Sequence, residues 1–339
     1  MTCNHESIAG DRARRSAGIA GACLCAAAGA IGDIGILHAQ NYPVKPVRLV
    51  VPQPPGGGND TIARLMSERI SKPLRQQVVV ENRAGASGLV AAETVSRSAP
   101  DGYTLLLGNA ATLTIIPNLQ KKVPYDALRD FDPVSLIASA PMLVVVHPSV
   151  PVKTVKELVA FAKARPGELN YASNGIGSST HLATEMFRQM TSINIVHVPY
   201  KGLSGAMTDL VSGQVPLMFS SAVAMLPHVK NKRLRAIAMT GDKRSVAIPD
   251  VPTVAEAGVP GFSAGSWYGI VAPTGTPRPV IEILNREIVA ATLSAEISDR
   301  LNREAVIPIA STPEAFAAHI RAEFERMAKV VKASDIRVE

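Results

Sequence analysis

Two stretches of this chain combine glycines, hydroxyls and amides with the start of a helical pattern, and neither contains a Lys or Arg. The first is Gln53-Pro54-Pro55-Gly56-Gly57-Gly58-Asn59-Asp60. It follows the apolar run at 47–51 and precedes a pattern at 61–71 that sets Ile62, Leu65, Met66 and Ile70 on one face. The second is Ser173-Asn174-Gly175-Ile176-Gly177-Ser178-Ser179-Thr180, which follows a strand pattern at 169–172. It opens a helix at 180–190 with Leu182, Met186 and Met190 apolar. A strand, a glycine turn and a helix start leave backbone N–H groups unpaired at the positive end of the helix, an arrangement that suits an anion. Hydrogen bonds to a charged group contribute roughly 1.5–3 kcal/mol each, so three or four can reach micromolar binding of a carboxylate once the association cost is subtracted. One such loop alone reads as a tight turn with helix-capping serines. Two in one chain argue for a pair of anion-binding ends facing each other.

Other chemistries have less support. Gly261-Phe262-Ser263-Ala264-Gly265 matches the nucleophile-elbow pattern, but it follows a Pro/Gly loop and precedes a strand, where an elbow must follow a strand and open a helix. The triple glycine lacks the Gly-Lys-Ser/Thr of a phosphate loop and the glycine spacing of a dinucleotide fold. His147, His181, His197, His228 and His319 are scattered, with no i, i+3 or i, i+4 pair, so neither a metal nor a cofactor is expected. Asp60 would repel an anion and is expected to cap its own helix. His181, in the first turn of its helix, either donates to a ligand or packs. Trp267, the only tryptophan, either stacks on a ligand or fills the region between domains.

A chain of 339 residues suits two domains. Its net charge of +7 favours attraction of small anions, and no basic run interleaved with aromatics points to nucleic acid. The first forty residues differ from the rest. Arg12, Arg14 and Arg15 precede a run at 16–37 rich in Ala, Gly, Ile, Leu and Cys, and His38-Ala39-Gln40 ends it. This reads as a secretory signal over 1–39, cut near Ala39, and so as a periplasmic protein; Asp33 interrupts the run too early for a membrane helix. Twin-arginine export and a lipoprotein anchored through Cys23 both fit less well. Cys3, Cys23 and Cys25 all lie in that segment, leaving the mature chain without a thiol.

Beyond residue 42 strands and helices alternate, which predicts mostly parallel sheet covered by helices. Strands are expected at 47–52, 77–81, 103–107, 142–147, 169–172, 193–198, 215–219, 234–240 and 266–272. Segment 124–133 reads as irregular. Capping boxes at Thr154–Glu157 and Thr253–Glu256 each predict a helix, and the closing helices fall at about 278–293, 295–303 and 313–332. Ligands of open α/β sheets sit outside the carboxyl ends of strands, which adds Asn109, Ala111 and Thr112 to the candidates.

These stretches resemble the extracytoplasmic substrate-binding proteins of tripartite tricarboxylate transporters, the Bug-type receptors. The resemblance runs through Tyr42-Pro43, Lys45-Pro46, Pro54 to Gly58, Glu81-Asn82-Arg83, Pro100 to Leu106, Asn170 to Ser173, Gly177-Ser178, and His181-Leu182-Ala183. It continues through His197 to Gly202, Leu226-Pro227-His228, Pro249 to Gly258, Ala272-Pro273 and Gly275-Thr276-Pro277. It implies a type II periplasmic-binding-protein fold, two α/β lobes with a ligand cleft between them: 41–141 plus 267–339 in lobe 1, 142–266 in lobe 2. It also implies that the loops at Pro54–Asp60 and Asn174–His181 grip a small carboxylate, with Tyr200, Lys201 and Trp267 counted in the site. The receptor would be a monomer that hands its ligand to a membrane permease. Gln53 and Ser220 depart from the family, which often has an aromatic and an Asp there; they imply an uncharged polar half of the pocket, unsuited to an ammonium group. A sensor subunit docking on a signalling partner is the second reading, and a hydrolase using Ser263 the third.

Overall fold

The computed structural model describes residues 1–2, 42–55, 58–85, 88–120 and 122–334. The signal expected at 1–39 therefore lies outside the described residues, apart from its first two. Contacts divide the chain into Met1–Val44 and Lys45–Glu339, and all strands and helices named below belong to the second unit.

Three parallel strands open the fold: β1 (Val47–Val51), largely buried, lies between β3 (Thr104–Asn109), wholly buried, and the more exposed β2 (Val78–Asn82). β1 and β3 read as continuous apolar runs because both sheet faces are covered. β3 continues antiparallel onto β9 (Gly265–Pro273), and β9 onto β4 (Phe131–Val146). β4 is sixteen residues long and serves two sets of partners. Its Phe131–Pro141 part pairs with β9, and Met142–Val146 pairs with β7 (Leu217–Ser221) and β8 (Arg235–Met239). Beyond β7 come β5 (Asn170–Ser173) and β6 (Val196–Pro199), all parallel. The two-residue β10 (Ile307–Pro308) returns to Ser139 and Ala138 of β4.

Residues 124–130 are irregular as expected, and the first part of β4 corrects that reading at 131–133. Prolines argue against a strand interior, yet Pro133 sits beside a register shift between Pro133 and Ser135, where the ladder is already interrupted. A second correction concerns Thr253–Glu256. The reciprocal bonds of a capping box form there, Glu256 N–H to Thr253 Oγ1 at 3.1 Å and Thr253 N–H to Glu256 Oε2 at 3.0 Å. They close a turn that does not continue as helix.

The helices are α1 (Gly58–Leu74), α2 (Leu89–Ser96), α3 (Ile116–Leu119), α4 (Val155–Ala164), α5 (Ser179–Thr191), α6 (Leu203–Ser212), α7 (Ala222–Lys230), α8 (Arg278–Leu293), α9 (Ala295–Arg303) and α10 (Pro313–Ser334). A π-turn, Ala111–Ile115, leads into α3. Along α10 the predicted stripe is realised by buried Phe316, Ile320 and Met327. Phe316 fits only because Gly269 faces it: a Cβ there would lie 2.2 Å from the phenyl ring.

Candidate functional site

The first loop ends β1 and opens α1. Gln53, Pro54 and Pro55 are exposed, and Gly56 and Gly57 lie outside the described residues. Gly58 is the first residue of α1, and Asn59 follows with 2 % exposure and its Nδ2 without a partner. A buried amide donor left unpaired costs about 1–3 kcal/mol, so such a group at a helix start marks a place for an acceptor. Asp60 is turned to its own lobe: it accepts from Arg64 Nε and from Asn82 Nδ2, each at 3.0 Å. Asn82 Nδ2 also donates to the Gln53 carbonyl at 3.0 Å, tying the far side of the loop to the end of β2. In the sequence Asn82 carries no signal beyond its place in Glu81-Asn82-Arg83; its bracing role depends on the fold. The adjoining Glu81 is held below the usual carboxylate range by hydrogen bonds from Arg83 and Arg48.

Asn109 and Thr112 close on each other. Asn109 Oδ1 accepts from the Thr112 backbone N–H at 2.9 Å, and the Thr112 hydroxyl shares the same amide oxygen at 3.2 Å. Thr112 is 1 % exposed and packs on Gly88, where a Cβ would lie 2.4 Å from Thr112 Cγ2 and 2.9 Å from Pro52 Cβ. These two residues shape the base of the first loop, with Asn109 Oδ1 and the Thr112 hydroxyl engaged with each other.

The second loop is knitted from within. Ser178 caps α5, accepting from the His181 backbone N–H at 3.3 Å and donating to the Gly175 carbonyl at 2.7 Å. Thr180 Oγ1 accepts from the Asn174 N–H at 2.9 Å, and the Ser173 hydroxyl meets His197 Nε2 at 2.6 Å. Gly175, at φ 127°, passes close enough to Tyr200 that a Cβ would lie 3.1 Å from its carbonyl oxygen. Ser179 at the first position of α5 faces Ala110, Thr114 and Ile115 across a cavity of about 20 Å³. One polar atom stays unpaired here, the buried Asn174 Oδ1.

Beneath this loop three rings stack. The His181 and His197 centroids are 3.9 Å apart and those of His197 and Tyr171 4.9 Å. His181 Nδ1 accepts the Gly177 backbone N–H at 3.1 Å, which requires that nitrogen to be unprotonated. Burial, reinforced by His197, brings the His181 pKa down to about 4. Burial also lowers His197. Tyr171 donates to Glu185 Oε1 at 2.7 Å, and Glu185 in turn pairs with Arg188 at 2.8 Å. His181 thus supports the loop from below.

Of the remaining candidates, Tyr200 donates its hydroxyl to Asp209 Oδ2 at 2.6 Å and Lys201 is exposed. Ser220 is 1 % exposed with its Oγ unpaired. Trp267, 3 % exposed, meets Phe316 and His319 edge-on and so fills the core beside α10. Its neighbour Tyr268 lies on the opposite face of β9, as successive strand residues must. Tyr268 is the cross-strand partner of Asn109, and a Cβ on Gly58 would lie 3.1 Å from its hydroxyl. Burial, with Glu304 adding to it, pushes the Tyr268 pKa up to about 12. The period-two alternation of β9 was the sequence signal that could have found it. No group of His, Cys, Asp and Glu suited to a metal occurs among the described residues.

Residues 62–336 match the family model described as tripartite tricarboxylate transporter family receptor. The chain belongs to that family. Its relatives include Protein BugT of Bordetella pertussis, 38 % identical over 297 residues that make up 87 % of this chain and 91 % of BugT. A Rhodopseudomonas palustris protein solved with adipate is 37 % identical, superposes with a TM-score of 0.75, and is matched over 87 % of this chain and 99 % of its own. MatC of the same organism, solved with bound malate, is 33 % identical with a TM-score of 0.71 over 86 % of this chain and all of its own. The receptor therefore has the two-lobed type II periplasmic-binding-protein fold and is a Bug-type solute-binding protein.

Proposed function

We propose that the receptor binds a small carboxylate between its lobes and delivers it to the membrane permease of a tripartite tricarboxylate transporter. The observation that carries this reading is the pair of helix starts, at Gly58 of α1 and Ser179 of α5, each following a parallel strand and each served by a loop free of Lys and Arg. An anion there is held by backbone N–H groups, hydroxyls and helix ends. The buried, unpartnered Asn59 Nδ2 supplies a further donor. Relatives solved with adipate and malate support a carboxylate as the ligand class.

The lobe boundaries at 141/142 and 266/267 belong to the same proposal. They are supported by the change of partners along β4, from β9 up to Pro141 to β7 and β8 from Met142. Closure on a ligand that touches both lobes selects for that ligand, because only a bridging molecule favours the closed state. The N-terminal signal read from the sequence supports export to the periplasm, and membership of a receptor family supports binding with no chemical conversion of the ligand.

A thermal-shift screen of mono-, di-, tri- and aromatic carboxylates on the purified protein tests the reading. A ligand at a hundred times its Kd raises stability by about 2.7 kcal/mol through mass action. A rise with at least one carboxylate is expected; no rise with any would count against the carboxylate. The permease step is checked by co-purification of the loaded receptor with membrane subunits encoded beside it.

A further inference from the structure

The geometry points to the Tyr268 hydroxyl as a ligand-binding donor that completes the first loop, contacting the same carboxylate group that the start of α1 receives. This rests on the carboxylate reading and deepens it by adding a residue from β9, the strand that crosses back from the second lobe to the first.

Three observations converge. First, Tyr268 and Asn109 are opposite each other in the antiparallel β3–β9 pair, so both side chains leave the sheet on one face at the carboxyl end of β3. The neighbouring pair, Gly108 and Gly269, faces the other way, toward Leu113 and Phe316. Second, that face is roofed by Gly58: a Cβ built there would lie 3.1 Å from Tyr268 Oη, so the phenol sits against the first residue of α1. Third, the Tyr268 hydroxyl has no hydrogen-bond partner among the described residues, and at the next position Asn59 Nδ2 is buried and unpartnered too. Two side-chain donors without acceptors, set at the positive end of a helix, make a donor set awaiting an anion.

The chemistry of the phenol suits the role. Burial and Glu304 both disfavour its ionised form, so it stays a donor throughout the range in which a carboxylate ligand is charged. The bare Cα of Gly58 also acquires a reason, since a side chain there would occupy the space between the helix start and the phenol.

The test is titration calorimetry on the purified wild type and on Tyr268→Phe, with adipate and with hexanoate, which share one carboxylate and differ at the other end. Removing one hydrogen bond to a charged group is expected to weaken both ligands by about tenfold or more. The melting temperature without ligand is expected to stay where it is, because the hydroxyl has no internal bond to lose. Unchanged affinity in Tyr268→Phe would overturn the proposal, whether or not the melting temperature falls. A loss confined to adipate would overturn it as well, by placing the hydroxyl at the variable end of the ligand. Failure of the wild type to bind any carboxylate is a separate outcome: it removes the functional reading itself, and this contact with it.

Discussion

The imidazoles of His181 and His197 lie 3.9 Å apart at 9° to one another, and the Tyr171 ring lies 4.9 Å from His197 and 6.4 Å from His181. Two cationic rings at that distance would repel, so the stack is built for neutral histidines. The Gly177 N–H donated to His181 Nδ1 sets the same condition from above.

The consequence is an acid-sensitive second loop. His181 titrates near 6.5 in the unfolded chain and at about 4 when folded; burial is the largest cause and His197 the next, Glu185 opposing them and Arg188 adding to them. A base whose pKa is depressed on folding contributes stability that is complete above the unfolded value and is lost as pH falls toward the folded one. Between pH 6.5 and about 4 the protein is expected to lose about 2 kcal/mol from this group. Urea midpoints across that range measure it. His181→Asn keeps an acceptor near Nδ1 without the titration and is expected to flatten the slope. An unaltered slope would assign the acid sensitivity elsewhere.

Asn82 joins the two sides of the first loop, donating to the Gln53 carbonyl and to Asp60 Oδ1. Asn82→Ala leaves Asp60 still paired with Arg64, so the fold loses only about 1 kcal/mol. Ligand affinity is expected to fall about fivefold, because the loop must then be ordered at the moment of binding. Calorimetry read beside the melting temperature separates the two effects. A large stability loss with unchanged affinity would make Asn82 a purely structural brace.

Gly88, just before α2, packs against Pro52 at the end of β1 and against Thr112. Its φ of +101° already disfavours any other residue, and a Cβ would meet Thr112 at 2.4 Å and Pro52 at 2.9 Å. Gly88→Ala is expected to destabilise by about 1–3 kcal/mol and to displace Pro52, weakening the ligand as well. Equal stability of the two proteins in denaturant would show that the turn can relax.

The parallel core and the two helix starts were legible in sequence because each rests on a local signal: a continuous apolar run, then glycines, then a 3.6-residue stripe. What escaped depended on partners remote in the chain. The Phe131–Pro141 part of β4 contains two prolines and exists as strand because β9 lies along it. The short α7, with Pro227 inside it, is held by burying Met225 and Leu226. At Thr253 the local signal was genuine and its bonds form, but no apolar stripe follows to continue a helix. In the candidate site the alternation along β9 decides between Trp267 and Tyr268, and a one-residue shift exchanges the face packed on Phe316 for the face beside Gly58.

The last prediction concerns Ser220, where the sign of the effect separates two roles. In the parallel β5–β7 pair Tyr171 is level with Leu217 and Ala172 with Met218, and Asn174 and Ser220 each lie two residues beyond that last pair. The Ser220 Oγ and Asn174 Oδ1 are both buried and unpaired. A buried hydroxyl without a partner costs about 1–3 kcal/mol, and its removal without leaving a matching group exposed to loss can be neutral or stabilising. Ser220→Ala is therefore expected to raise the melting temperature of the empty receptor while weakening its ligand by about tenfold, since the bound molecule is then what satisfies the hydroxyl. If both quantities fall together, Ser220 serves the fold. If the empty protein gains stability and affinity stays the same, the distal end of the ligand lies elsewhere, and Gln53, exposed at the rim of the first loop, becomes the residue to change next.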